Sequence, residues 1–327
     1  MLAIRQHEFG GPEQLLMEEV PTPHPELGQV LVAVEAAGVH LLDTVIRSGR
    51  GPARAAVHLP MTPGREVAGV VHELGQGTDP RLLGQRIVVD LGPGSGGYAE
   101  YALATEHALH VIDDALDPAE AVAAVGTGRT VQAIVELARI ARGETVVITA
   151  AAGGVGTLLV QAATNAGASV VALAGSAKKT AHVTALGAGA AVDYSAPAWY
   201  DEADAAVTHR RAHLLLDGVG GEIGRRALDL LGVGGRAVMF GSASGTTLSL
   251  TAEDIYGRGI TVSAAVGARL LRRPGGLVPL ERRALKALAD RSLVPSIGQR
   301  FPLSAAAAAH RAIEARGTIG KTVLEPG

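Results

Sequence analysis

The chain has 327 residues, 47% of them hydrophobic and 19% charged, with a net charge of −3; that is material for about two globular domains and excludes a disordered chain. Its arginines are scattered rather than massed into a basic stripe with interleaved aromatics, which argues against nucleic acid as a partner. No apolar run approaches the roughly 20 residues that span a bilayer, and the opening MLAIRQHEFGGPEQ lacks the apolar core of a secretory signal, so a cytoplasmic protein is expected.

The first hundred residues read as short β segments punctuated by Gly and Pro: MLAIRQHEF, QVLVAVEAAGV from Gln29, EVAGVVHELG from Glu66, RIVVDL from Arg86 and YAEYALA from Tyr98. They predict a compact antiparallel β lobe. At Asp117-Pro118 the texture changes to helical spacing, through AEAVAAV and RTVQAIVELARIAR. From Thr145 strands alternate with helices: TVVIT, SVVALAG, AAVDY, HLLLDGVG and RAVMFG, with TVSAAV at 261–266 as a final strand. This alternation predicts a doubly wound parallel sheet. A helix near 276–291, a strand near 297–303 and a helix near 304–316 follow. The expected division is a β-rich domain of residues 1–120 and 267–327 with a dinucleotide-binding domain, 121–266, inserted into it.

The richest stretch is ETVVITAAAGGVGTLLVQ, Glu144 to Gln161, where an apolar strand breaks into a glycine turn and then a helix. Ala151, Gly153 and Gly156 take the three places of the G-x-G-x-x-G pattern. Gly153 would let the backbone approach a pyrophosphate and Gly156 would let the helix pack closely, with Ala152, Gly154 and Val155 completing the turn. A tight turn without a ligand also explains glycines; the surrounding alternation favours the dinucleotide. NAD enzymes place a carboxylate at the end of the next strand. Here no Asp or Glu occurs between Gly156 and Asp193, whereas Ser176, Lys178 and Lys179 follow that strand. Cations and hydroxyls suit a 2′-phosphate, so NADPH is the expected cofactor. The two lysines can also be read as a solvated helix start, although lysine is unfavourable beside the positive end of the helix dipole.

The same residues resemble the zinc-independent quinone oxidoreductase branch of the medium-chain dehydrogenase/reductase family. GETVVITAAAGGVGTLLVQ looks like its signature and AGVHLLDTVIRSG like its N-terminal substrate loop; TPGREVAGVV, GQRIVV, GGYAEY, GTGRTVQA, LDGVGG, FGSASG and GKTVL extend the likeness over nearly the whole chain. The resemblance implies a co-chaperonin-like β lobe closed by the C-terminal tail, and the Rossmann domain already inferred. It also implies Thr130 near the nicotinamide, Lys179 and Tyr194 near the 2′-phosphate, and Gly218, Phe240, Ser242 and Lys321 along the cofactor. His40 replaces the family's usual asparagine, and Val45 the tyrosine often found after the loop aspartate.

Zinc-dependent relatives supply a cysteine and a histidine where this chain has His40 and Arg65, and the chain contains no cysteine. His40, Asp43 and Glu66 offer an O/N donor set, but polar lining with Glu66 paired to Arg65 or another cation is the more ordinary reading, and no metal is expected. A hydride donor without a Lewis acid suits acceptors that are already electrophilic, such as quinones and conjugated enones or enals. His40 and Asp43 are the catalytic candidates: His40 as a hydrogen-bond or proton donor or as a packing residue, Asp43 chiefly as the partner that holds the loop. Leu41, Leu42, Val45 and Ile46 suggest an apolar pocket or simply core. Rival readings are an enoyl-thioester reductase, a non-enzymatic NADPH-binding protein and a zinc-independent alcohol dehydrogenase. A homodimer is expected from the resemblance and from the apolar edge at 261–266.

Overall fold

The computed structural model describes residues 1–50, 57–92, 95–207 and 211–327. They form two compact units, Met1–Gly126 with Pro295–Gly327, and Thr127–Val294. In chain order the first contains β1 (Leu2–Arg5), β2 (Leu16–Glu19), β3 (Gln29–Val39), α1 (Leu41–Arg47), β4 (Glu66–Leu74), β5 (Arg86–Asp90), β6 (Tyr101–Thr105), β7 (His110–Val111) and α2 (Pro118–Ala123). The second contains α3 (Arg129–Ala138), β8 (Thr145–Ile148), α4 (Gly154–Asn165), β9 (Ser169–Ala174), α5 (Ala177–Ala185), β10 (Ala190–Asp193), α6 (Trp199–Val207), β11 (Ala212–Asp217), α7 (Gly221–Asp229), β12 (Leu231–Met239), β13 (Thr261–Ala264), α8 (Ala268–Leu271) and α9 (Val278–Ala289). The chain then returns to the first unit with β14 (Ile297–Pro302), α10 (Ala306–Glu314) and β15 (Lys321–Glu325).

In the first unit the described strands run β14-β15-β3-β4-β5-β7, with β6 also on β3. The lobe is antiparallel as expected, with one parallel pair, β14 with β15. Register shifts at Leu31/Val32 and Val34/Ala36 bend β3, letting it pair with three neighbours. Two of its registers build the site. Thr322 lies opposite Val39, which brings Lys321 to the level of residue 40, and Ala37 lies opposite Val67, which brings Glu66 across from Gly38. The core beneath gathers Ile4, Val32, Val67, Ile87, Tyr98, Leu303 and Leu324.

The second unit carries a parallel six-stranded sheet, ordered β10-β9-β8-β11-β12-β13. Its strands are apolar on both faces because each face is covered. Val146 and Ile148 of β8 enter one core with α4, while Val147 enters the other with α6 and α7. Leu214 and Leu216 divide from Leu215 in the same way on β11. The chain winds to opposite sides from β8 and β11, which makes their carboxyl ends the crevice where such sheets bind dinucleotides.

The domain borders differ from those expected. Residues 267–294, assigned by sequence to the β lobe, cluster with the second unit, and 121–126 with the first. Charge and hydrogen bonding explain the first shift. Arg129 of α3 donates to Glu281 of α9 at 2.8 Å, a buried pair, and Glu136 of α3 receives both Arg273 and Arg283. Gln161 of α4 exchanges two hydrogen bonds with the Val294 backbone, each 2.9 Å. The substrate loop also differs, because LLDTVIR, Leu41–Arg47, forms the helix α1 with His40 as its N-cap.

Candidate active site

α1 begins where β3 ends, and its start is fixed by the Asp43 carboxylate, whose Oδ2 accepts the His40 backbone N–H at 2.7 Å. Arg65 Nε donates to Asp43 Oδ1 at 3.3 Å, and the Tyr98 hydroxyl donates to Oδ2 at 3.3 Å. Asp43 is thereby the structural anchor of the loop. Tyr98 is itself 3.2 Å from His310 Nε2, and Arg47 Nη1 lies 3.3 Å from His310 Nδ1. Arginine has no acceptor, so Nδ1 accepts and Nε2 carries the proton of a neutral ring. Burial pushes the His310 imidazolium down to about 4, aided by Arg47 and opposed by Asp43 and Glu314. Burial and the Asp43 charge also hold the Tyr98 phenol far above its ordinary range.

The His40 ring turns inward. Its Nε2 lies 2.5 Å from Glu66 Oε2 and 2.6 Å from Lys321 Nζ, with Nζ 3.6 Å from Oε2. Burial lowers the Lys321 pKa, while the Glu66 and Asp43 carboxylates raise it. Two glycines leave the cluster room: a Cβ at Gly126 would fall 2.0 Å from Glu66 Oε2, and one at Gly38 2.9 Å from the same oxygen. A divalent cation does not fit the His40, Asp43 and Glu66 set, because Arg65 and Lys321 already place positive charge on its donor atoms. Among the described residues no group of three or more His, Asp or Glu side chains is arranged to hold a metal ion. Lys321, expected along the cofactor, has its ammonium engaged inside this cluster.

In the second unit the glycine turn has the geometry a pyrophosphate needs. Gly153 caps α4 without a side-chain hydrogen bond, leaving the first amides of a 12-residue helix for an anion. A Cβ on Gly156 would meet Ala150 O at 2.2 Å and Ala151 O at 2.6 Å, so only glycine permits the contact of helix and turn. Ala152 is buried beneath the turn, while Gly154 and Val155 are half-buried in the first turn of the helix. At the end of β9, Ser176 caps α5 by accepting the Lys179 N–H at 3.3 Å; Lys178 is exposed and Lys179 half-buried. The Tyr194 ring lies over Gly175, where a Cβ would come within 3.0 Å of it, and the Phe240 ring lies similarly over Gly218 at 2.4 Å. These residues follow the carboxyl ends of β9, β10, β11 and β12, and exposed Ser242 follows β12 as well. Thr130 stands half-buried in the first turn of α3.

Sequence reasoning missed a pair that shapes this edge. The Thr149 hydroxyl donates to buried Asp217 Oδ1 at 2.6 Å and accepts the Gly218 N–H at 2.9 Å, while Asp217 receives the Val219 and Gly220 amides. Thr and Asp at the carboxyl ends of adjacent apolar strands were the available signal.

A glycine turn at the switch point of a parallel sheet, with a β lobe formed by both ends of the chain, defines a medium-chain dehydrogenase/reductase. Residues 26–114 match the model of the alcohol dehydrogenase GroES-like domain and 154–275 that of the zinc-binding dehydrogenase. Human quinone oxidoreductase is 31% identical over 99% of this chain and 97% of its own. The quinone oxidoreductase of Thermus thermophilus, whose structures include a complex with NADPH, superposes with a TM-score of 0.83 at 33% identity, covering 99% of this chain and 100% of that one. An NAD-dependent alcohol dehydrogenase is also similar, with a TM-score of 0.88 at 29% identity and full coverage of both chains. The chain belongs to the zinc-independent quinone oxidoreductase branch of the medium-chain dehydrogenase/reductase family.

Proposed function

We propose that the protein is an NADPH-dependent reductase of quinones or of conjugated enones and enals. One observation carries the reading: at the two positions where zinc-dependent relatives supply ligands this chain has Arg65, bonded to Asp43, and His40, whose Nε2 lies against the Lys321 ammonium, while the dinucleotide turn is retained. Without a Lewis acid, the acceptors best served are those whose own π system spreads the transferred charge. The bound dinucleotide supplies the hydride. The turn Ala152–Gly156 would hold its pyrophosphate, Ser176, Lys179 and Tyr194 its 2′-phosphate end, and Thr130, Gly218, Phe240 and Ser242 the remainder. His40, half-buried at the mouth of its cluster, would donate to the acceptor oxygen; Asp43 fixes the loop that presents it, and Lys321 belongs to this donor side.

In this reading the protein is a cytoplasmic homodimer. β13 forms the edge of the described sheet, with the exposed Val233 and Tyr256 nearby, and pairing with its symmetry mate would cover that edge. No described helix is long and apolar enough to cross a membrane. A panel of quinones, enals, enoyl thioesters and simple secondary alcohols, followed by NADPH oxidation or NADP⁺ reduction, tests the function. Conjugated acceptors should turn over and simple alcohols should not. Alcohols reacting well with every conjugated acceptor inert would put the alcohol dehydrogenase reading first, and enoyl thioesters alone would identify an acyl reductase.

A further inference from the structure

Thr149 and Asp217 meet at the centre of the parallel sheet. Ile148 of β8 lies opposite Leu216 of β11, so the residues that follow come side by side at the carboxyl ends of the strands, both fully buried. The amides of Gly218 and Val219 can only donate to the Thr149 hydroxyl, at 2.9 and 3.3 Å, so its single hydrogen goes to Asp217 Oδ1 at 2.6 Å. Asp217 in turn accepts from the Val219 and Gly220 amides, each at 3.1 Å. Three consecutive amides of the turn are spent on this pair, and the carbonyls of the same turn hold the loop after β12. Ala243 donates to Gly218 O at 3.1 Å and Ser244 to Val219 O at 2.9 Å. On the other side Thr149 leads into Ala150, held at a φ of 49°, whose carbonyl takes the Gly153 N–H at 2.9 Å. A residue with a Cβ adopts that left-handed backbone only where its neighbours impose it. One hydroxyl therefore joins the glycine turn after β8 to the loop that carries Phe240 and Ser242.

We propose that Thr149 is a positioning residue for the nicotinamide half of the cofactor, setting the 240–244 loop against the glycine turn through Asp217. The proposal rests on the cofactor placement given above. In the strand order β9 and β10 lie on one side of β8, and β11 and β12 on the other. With the pyrophosphate at the turn after β8 and the 2′-phosphate beyond β9, the nicotinamide half extends over the ends of β11 and β12. The joint between the two turns then sets where that half comes to rest. Threonine suits the joint for a chemical reason. Valine has the same shape but neither donates nor accepts, which leaves the Gly218 amide without its acceptor and takes a donor from a buried carboxylate; serine keeps all three bonds. The joint forms without the cofactor, so the loop needs little ordering when the cofactor binds.

Calorimetric titration with NADPH and with adenosine 2′,5′-bisphosphate, which carries the 2′-phosphate and lacks the nicotinamide half, separates the two ends of the site. Thr149→Val should weaken NADPH by at least about tenfold and leave the bisphosphate unchanged, while Thr149→Ser should bind both as the parent does. Hydrogen–deuterium exchange of the protein without cofactor should find the 240–244 amides protected in the parent and in Thr149→Ser, and exposed in Thr149→Val. A parent whose 240–244 amides exchange as freely as an unfolded chain would overturn the proposal with no variant needed. Loss of NADPH and the bisphosphate alike in Thr149→Val would mark damage to the whole domain and overturn it too, as would NADPH affinity equal to the parent's. A parent that binds NADPH but not the bisphosphate would overturn the cofactor placement and the proposal together.

Discussion

Gly156→Ala probes the dinucleotide turn at its tightest point. The added Cβ would stand 2.2 Å from Ala150 O and 2.6 Å from Ala151 O, where ordinary contacts begin at 3.4 Å. Both obstacles are backbone, so no rotamer change relieves the overlap of about 1 Å, and α4 must lift from the turn. Overpacking of this kind costs about 1–3 kcal/mol, against which alanine's helix preference returns up to about 1 kcal/mol. At roughly 2–4 °C per kcal/mol for a unit of this size, the melting temperature should fall by a few degrees. The amides that face the pyrophosphate move with the helix. Losing one charge-assisted hydrogen bond costs about 1.5–3 kcal/mol, so NADPH should bind at least tenfold more weakly. Gly153→Ala is the control for the melting temperature alone, since its Cβ would sit 3.3 Å from Ala150 O and needs only a small adjustment. At this position an added methyl stands in the path of the pyrophosphate and should weaken NADPH too. Thermal melting and calorimetric titration of both variants decide the matter. A Gly156→Ala protein with the parent's melting temperature and NADPH affinity would refute the geometric argument.

Lys179→Ala should weaken NADPH by about 1.5–3 kcal/mol and leave NADH nearly unchanged, measured by fluorescence titration of both nucleotides; equal affinities for the two in the parent would contradict the 2′-phosphate assignment. Glu281→Leu removes the carboxylate partner of buried Arg129 and should cost about 3–5 kcal/mol in urea unfolding, while Arg129→Met/Glu281→Leu should recover most of it. The buried His310 takes its proton near pH 4 when folded and near 6.5 when unfolded, so the unfolded state binds more protons between those values. Its contribution, about 3 kcal/mol at full extent, is complete above pH 6.5 and is lost as the pH falls toward 4; urea midpoints in that window should fall more steeply for the parent than for His310→Gln.

The second unit was legible because a strand covered on both faces is an unbroken apolar run, and each of β8, β9 and β11 stands between turn residues and a helix. β3 was legible to the residue, since glycine precedes it and its apolar run is the longest in the lobe. α1 was not. It has seven residues, too few for a helical period to declare itself, and its cap is a histidine whose backbone is held by Asp43. The start of β12 was lost among Gly232, Gly234 and Gly235, which read as a turn. The misassignment of 267–294 has another cause. Arg129 and Glu281 are 152 positions apart, and no local pattern states that one buried charge answers the other.

The site was legible in its residues and not in its pairings. Glu66 was expected to pair with Arg65 or another cation, and it is Lys321 that it faces, together with His40, while Arg65 bonds Asp43. Arg65 lies just before β4 and Glu66 opens it, so adjacency in sequence did not fix their partners. The pairing that forms answers an electrostatic need. Asp43 and Glu66 are two buried carboxylates in one small volume, and a buried charge costs several kcal/mol unless it is paired. A divalent cation would neutralise such a pair, and here Arg65 and Lys321 do so with one charge each. The two solutions differ chemically. Arg65 is a permanent cation bonded to Asp43, whereas Lys321 is a point charge set against His40 Nε2 and Glu66, its ammonium weakened by burial and supported by the Glu66 and Asp43 carboxylates. Exchanging a metal for these two side chains thus removes a Lewis acid, which matches acceptors whose own π system spreads the transferred charge and that need no polarisation before hydride transfer.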